Sequence, residues 1–212
     1  AGRWHYNLFV ENGRIADIGG KMLMTGLRAV AGVHKGEFRL TPNQNLSISN
    51  VSDGDKGVIE ALLGEHGIEN TAQASPLRLH SMACVALPTC GLAMAESERY
   101  LPELVDKLDD VFGQAGLAND AVTIRMTGCP NGCARPYIAE IGLVGKGPGR
   151  YNLYLGAGFA GERLGTLVRD NANEGEILET LSPLLQSYAG NRDDDERFGD
   201  YLHRAGLIGA AT

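Results

Sequence analysis

No stretch of this sequence stays apolar long enough to cross a membrane; the longest runs are broken by glycine and charge. Positive charge is in deficit. The formal net charge of -7 at pH 7 argues against general affinity for nucleic acid or anionic lipid. An acidic protein that handles a small anion then needs a locally basic pocket. Cysteine is scarce: four in 212 residues is too few for a disulfide-dense secreted scaffold, and a cytoplasmic protein with a metal or redox site is the better class. The opening Ala1-Gly2-Arg3-Trp4 matches neither a secretory leader nor an initiator methionine, and reads as the middle of a longer protein. What is present is ordinary for a globular chain. Its 43% hydrophobic content can build a core in one large or two modest domains.

Residues 1–75 mix strand and helix signals. Alternation of Trp4, Tyr6, Leu8 and Val10 predicts a half-buried strand, and Asn12-Gly13 predicts a hairpin returning at Ile15-Ala16. Leu23, Leu27, Val30 and Ala31 have helical spacing within 21–33. Two strands, 38–40 and 46–48, flank a polar tip of Thr41-Pro42-Asn43-Gln44-Asn45. Asp53 is placed as the cap of a helix to about His66, with Val58, Ile59, Leu62 and Leu63 inward. Together these make an α+β unit.

Residues 76–212 read as a second domain of mixed α/β character. A helix opens at Ser97 or Glu98 and carries Leu101, Leu104, Leu108, Val111 and Phe112 on one stripe. A strand over 122–126 runs into Thr127-Gly128-Cys129, and strands over 138–144 and 151–155 flank a Gly/Pro turn. A last helix covers 176–188, and Asp193-Asp194-Asp195-Glu196 reads as a solvated loop. No internal repeat is visible.

The four cysteines fall in two pairs, Cys84-x5-Cys90 and Cys129-Pro-Asn-Gly-Cys133. Pro88 and Pro130 keep both segments out of regular helix, while Gly91, Gly128 and Gly132 let the backbone bend around something bulky and bring N–H groups near it. Such amides tune the potential of an iron–sulfur cluster. Three other readings stand beside a cluster: two disulfides, four core thiols, or a zinc-stabilised binding module with four thiolates. The five residues between Cys84 and Cys90 exceed the usual zinc-ligand spacing, so spacing leans towards iron and sulfur.

The surrounding residues carry a resemblance. Thr127-Gly-Cys-Pro-Asn-Gly-Cys-Ala-Arg-Pro136, with Cys84-x5-Cys90 upstream, resembles the cluster-binding signature of the sirohaem-dependent sulfite and nitrite reductases. The segments 141–152, 4–14, 41–45, 81–90 and 93–99 are similar to the sulfite reductase branch, so the likeness covers nearly the whole chain. It implies the C-terminal half of the haemoprotein (beta) component of that family. The implied fold is a ferredoxin-like half-unit over 1–75 followed by a sirohaem and [4Fe–4S] binding domain over 76–212.

The resemblance further implies that Cys84, Cys90, Cys129 and Cys133 ligate the [4Fe–4S] cluster, with Cys133 bridging to the sirohaem iron. A cofactor rich in carboxylates needs N–H donors and cations. Asn43, Gln44, Asn45, Asn131 and Arg135 are the candidates, the three amides competing with a plain reading as a polar turn. Lys146 and Arg150, in a Gly/Pro turn, are weaker candidates that compete with a plain reading as exposed residues. The implied reaction is six-electron reduction of sulfite to sulfide in sulfur assimilation and cysteine biosynthesis, fed by an NADPH-using flavoprotein or by ferredoxin. Nitrite is the runner-up substrate. The basic groups that hold sulfite lie mostly in the preceding half of the polypeptide, so this half alone is expected to be inactive and to be able to lack either cofactor.

Two other signals are set aside. Gly156-Ala-Gly-Phe-Ala-Gly161 matches a dinucleotide fingerprint, but the polar stretch after it offers no apolar strand to complete such a site, so it is read as a turn. His5, His34, His66, His80 and His203 show no metal-ligand spacing and read as surface or locally bonded.

Overall fold

The computed structural model describes residues 3–68 and 74–209, and the chain divides into two compact units, Ala1–Ala74 and Ser75–Thr212. The first is built on a three-stranded antiparallel sheet. Its strands are β1 (Arg3–Leu8), β4 (Glu37–Leu40) and β5 (Leu46–Ser52), in the order β1-β5-β4. Strands β2 (Asp17–Ile18) and β3 (Lys21–Met22) form a separate small ribbon ahead of helix α1 (Leu23–Val33). Helix α2 (Asp53–Glu65) follows β5 directly. Leu8, Val10, Leu27, Val30, Leu46, Ile48, Val51, Ile59 and Leu63 make the core of this unit.

Three local expectations are corrected here. Asn12-Gly13 does not turn a hairpin. It lies in a 3-10 turn over Glu11–Gly13, with Gly13 N–H bonded to Val10 O at 2.9 Å, and β1 pairs with the distant β5 instead. Burying Leu8 against Leu46 and Tyr6 against Ile48 outweighs the local turn preference. The cap of α2 is Ser52, whose hydroxyl accepts the Asp55 N–H at 3.1 Å, with Asp53 already inside the first turn. Of the four residues placed on its inner face, Ile59 and Leu63 are buried and Leu62 packs at the margin, but Val58 is exposed.

The second unit is a five-stranded mixed sheet in the order β10-β9-β8-β7-β6. The short helix α3 (Pro76–Leu79) leads into β6 (Ser81–Ala83), and helix α4 (Leu101–Gln114) precedes β7 (Ile124–Thr127). Then come β8 (Ile141–Gly147), β9 (Arg150–Leu155) and β10 (Thr166–Ala172), followed by α5 (Glu174–Asn191) and α6 (Phe198–Arg204). Strands β6, β7 and β8 run parallel; β8-β9 and β9-β10 are antiparallel. Ile124, Met126, Ile141, Leu143, Leu153 and Leu155 share one core with Leu101, Leu104 and Leu108 of α4, Ile177, Leu181 and Leu185 of α5, and Phe198 of α6.

The α4 stripe is buried as its periodicity predicts, but the helix begins at Leu101, because Ser97 is drawn into the sheet and its hydroxyl donates to Met126 O at 2.8 Å. Helix α5 starts at a reciprocal capping box between Asn173 and Glu176. The acidic run is only partly solvated: Glu196 and Asp193 both pair with Arg204. The polar stretch after Gly161 is β10, an edge strand exposed along most of its length. Being antiparallel to β9, it cannot complete a dinucleotide crossover.

Candidate metal centre

Both cysteine pairs follow the carboxyl ends of neighbouring parallel strands. Cys84 comes directly after β6 and its N–H continues the ladder to Met126 O at 3.1 Å, while Cys129 follows β7 by one residue. Open parallel sheets place ligands at this end, where loops diverge from adjacent strands. The first pair closes a short loop in which Cys90 N–H bonds Ala86 O at 2.7 Å, and the loop then returns as a strap over residues 93–97.

Gly128 ties the two loops into one piece. Its N–H donates to Cys84 Sγ at 3.3 Å, and its carbonyl accepts the N–H groups of Met94 and Ala95 at 2.8 and 3.0 Å. A Cβ added there would lie 2.6 Å from both Ala86 Cβ and Ala95 O, so only glycine fits. The crowding at Gly128 comes from the protein itself. Gly132 is needed for a left-handed turn at φ 68°, and Gly91 faces open space. Tyr151, 1% exposed, holds the strap from below by donating to Glu96 O at 2.7 Å. Arg99 does the same for the first loop through Leu87 O at 2.9 Å. Tyr137 reaches under the second loop and donates to Pro130 O at 3.2 Å.

The cysteines differ in exposure: Cys129 is buried, Cys84 and Cys90 are half-buried, and Cys133 is exposed; none is in a disulfide. Non-glycine residues with left-handed backbones stand in both loops, Ala86 at φ 46° and Arg135 at φ 56°. Such conformations cost energy and collect at functional sites. Arg135 lies two residues past Cys133, with Nη2 against Met82 Sδ at 3.7 Å. Arg125, which sequence reading missed because it sits mid-strand among apolar residues, donates to Arg135 O at 3.5 Å. Burial, and then the neighbouring Arg135 charge, hold Arg125 below the usual guanidinium range. Asn131 is exposed between the second pair of cysteines.

The three candidate amides belong to the first unit, at the tip between β4 and β5. Asn45 Oδ1 accepts the Val10 N–H at 3.0 Å, so this side chain has a structural task that joins two chain segments. Gln44 is left-handed at φ 65° and Asn43 is exposed. Lys146 and Arg150 pair with Asp170 and Glu176, at 4.0 and 3.2 Å.

The donor chemistry suits a cluster. Four thiols on two loops at neighbouring strand ends are soft donors of the kind that an iron–sulfur cluster takes, one to each iron. Thr127 gives a second sign. It is 1% exposed at the end of β7, and its hydroxyl has no hydrogen-bond partner among the described residues.

Comparison with known proteins agrees with this geometry. Residues 1–66 match the nitrite/sulfite reductase ferredoxin-like half domain, and residues 77–209 match the nitrite and sulphite reductase 4Fe-4S domain. The chain is 60% identical over 208 residues to the sulfite reductase [NADPH] hemoprotein beta-component of Chromohalobacter salexigens, covering 98% of this chain and 36% of that protein. It is 56% identical over 210 residues to the protein of the same name from Bacillus subtilis, covering 99% and 37%. The chain thus spans little more than a third of the length of these relatives. Among solved structures, the Mycobacterium tuberculosis NirA protein superimposes with a TM-score of 0.73 at 23% identity, covering 94% of this chain and 38% of that one, a likeness of fold. The chain belongs to the nitrite and sulfite reductase family, with a ferredoxin-like half domain followed by the family's 4Fe-4S domain.

Proposed function

We propose that this chain is the C-terminal part of a sulfite reductase haemoprotein, and that Cys84, Cys90, Cys129 and Cys133 hold its [4Fe–4S] cluster. The observation that carries the reading is the joining of the two loops: Gly128 bonds the Cys84 sulfur through its N–H and the strap behind Cys90 through its carbonyl. With the loops fixed to each other, four thiolates can converge without ordering two independent segments. Cys133, the most exposed of the four thiols, is the one we assign as the residue that would hold the sirohaem as well as the cluster. When bound, the cluster and sirohaem would relay to sulfite the six electrons that an external donor delivers for its reduction to sulfide.

The chain's own residues bind and position. Gly128 N–H withdraws charge from the Cys84 sulfur, Tyr151 and Arg99 hold the first loop, and Tyr137 holds the second. Asn131 and Arg135, beside the second pair, are the donors of this unit that we assign to sirohaem carboxylates. The partners are the N-terminal half of the same polypeptide and, following the NADPH in the relatives' names, a flavoprotein as electron donor; ferredoxin is the other candidate. Action in the cytoplasm, within sulfur assimilation, is part of the same reading, and no helix among the described residues is long and apolar enough to cross a membrane.

The test is anaerobic purification of the protein with an absorption spectrum and assays for iron and acid-labile sulfide. Iron and sulfide in a cluster ratio, lost on Cys129→Ser, is the expected result. Stoichiometric zinc without sulfide would instead establish the four-thiolate binding module. Comparison of sulfite and nitrite turnover by the full-length polypeptide decides the substrate, with sulfite expected to be preferred.

A further inference from the structure

Among the described residues of the second unit, Thr127 carries a buried side-chain oxygen with no hydrogen-bond partner. It ends β7, two residues before Cys129 and next to Gly128. It is 1% exposed, and its hydroxyl oxygen has no hydrogen-bond partner among the described residues. A buried hydroxyl with nothing to bond is destabilising, a cost that valine of nearly the same shape would avoid. Such groups are rare in native folds, and a redox or catalytic role is one of the reasons a fold keeps one.

Register gives Thr127 two lateral neighbours: Val144 of β8, whose side chain offers no acceptor, and Cys84 on the other side. Ala83 pairs with Met126 in the parallel β6-β7 ladder, and the Cys84 N–H bond to Met126 O extends the ladder by one step. Thr127 and Cys84 are therefore lateral neighbours at the mouth of the sheet, about 5 Å apart between strands. The Gly128 N–H already points at the Cys84 sulfur at 3.3 Å, so this corner directs donors towards sulfur. A thiolate or sulfide is a larger and more charged acceptor than a thiol, and draws a hydroxyl that a thiol does not.

We infer that the Thr127 hydroxyl is a hydrogen-bond donor to the sulfur shell of the cluster, at the Cys84 corner, where it acts as a positioning residue that favours the reduced state. The inference rests on the ligand assignment proposed above. Reduction adds negative charge to the sulfurs, so a donor aimed at them stabilises the reduced form more than the oxidised one. The hydroxyl is thus neutral or harmful to the fold and useful to the cluster.

The experiment compares Thr127→Val, which removes the hydroxyl, with Thr127→Ser, which keeps it, in the full-length polypeptide purified anaerobically with its cofactors. Iron and sulfide content, the midpoint potential of the cluster and the thermal midpoint of cofactor-free protein are read for each. The Val protein is expected to have a more negative cluster potential, with the reduced-to-oxidised ratio at the wild-type midpoint falling about threefold to tenfold for the loss of one such bond. Its cofactor-free form melts no lower than wild type, and Ser restores the wild-type potential. Thr127→Ala, which also lacks the hydroxyl, gives the same potential shift by a variant with different packing. Unchanged potential in Val and Ala would overturn the inference, and a lower melting point in cofactor-free Val would show that the hydroxyl serves the fold. Wild-type protein without iron and sulfide would instead overturn the ligand assignment itself, so the two failures are distinguishable.

Discussion

The two ends of the five-stranded sheet are finished in opposite ways. At the amino ends of β7 and β8, Glu140 is fully buried and its carboxylate accepts three bonds: Thr123 N–H at 2.8 Å, Thr123 hydroxyl at 3.2 Å and Gly199 N–H at 3.1 Å. Glu140 N–H returns a bond to Thr123 Oγ1 at 2.9 Å, so three segments distant in sequence meet on one side chain. At the carboxyl ends the loops carry free thiols, left-handed backbones, an orphan hydroxyl and exposed apolar side chains at Val85, Leu92 and Met94. One end closes its polar groups on itself, and the other, among the described residues, keeps four free thiols and one buried hydroxyl without a partner. Stability and chemistry are thereby separated along the strands, as in other open sheets with parallel strands.

The largest expected effect breaks the closed end. Glu140→Ala leaves the N–H groups of Thr123 and Gly199 buried without an acceptor, at about 1–3 kcal/mol each, and opens a cavity besides. We expect a loss of about 3 kcal/mol in urea unfolding, with cluster iron and sulfide per folded protein unchanged. A parallel loss of iron per folded protein would mean that the two ends are coupled and that the contrast between them is false.

How much of this was legible follows the same division. The core stripes of α4 and α5 repeat at helical spacing, and the strand running into Thr127-Gly128-Cys129 is apolar and short, so each reads directly from the sequence. The cysteine spacing and its glycines were equally plain. Short or polar elements were not: β6 has three residues, β10 is mostly exposed, and α6, with Phe198, Tyr201 and Leu202 buried, follows the acidic run with little to announce it. Asn12-Gly13 misled because a local turn signal carries no knowledge of the long-range partner that β1 finds in β5. Arg125 and Glu140 were missed for a related reason. A single charge inside an apolar strand pattern has no periodicity, and its role exists only once distant segments meet.

A smaller effect sharpens the account of the closed end through pH. Burial is the main influence on Glu140 and raises its carboxyl above the usual range, against the opposing hydrogen bonds from Thr123 and Gly199. The folded state thus holds this proton more tightly than the unfolded chain. The associated stability is fully present below the ordinary glutamate pKa and is lost as pH rises through the raised folded value. Glu140→Gln cannot titrate, so the margin by which wild type exceeds it is expected to be wider at mildly acid pH than at pH 8. Thermal melts of both proteins across that range check it. A margin that grows with pH would mean that the three hydrogen bonds outweigh burial.

The smallest expected effect belongs to the open end and is the most telling about it. Leu92 is 71% exposed between Cys90 and the strap, where a leucine gains almost nothing from packing within the chain. Leu92→Ser should change the stability of the cofactor-free chain by no more than about 0.5 kcal/mol, as for other surface substitutions away from structural features. In the full-length polypeptide the same change is expected to cost more if the remainder of the polypeptide covers this exposed leucine beside Cys90. Measuring the two losses side by side separates a side chain that merely faces solvent from one that the complete protein covers. Equal, negligible losses would return Leu92 to the solvated surface and narrow the open end to its thiols and hydroxyl.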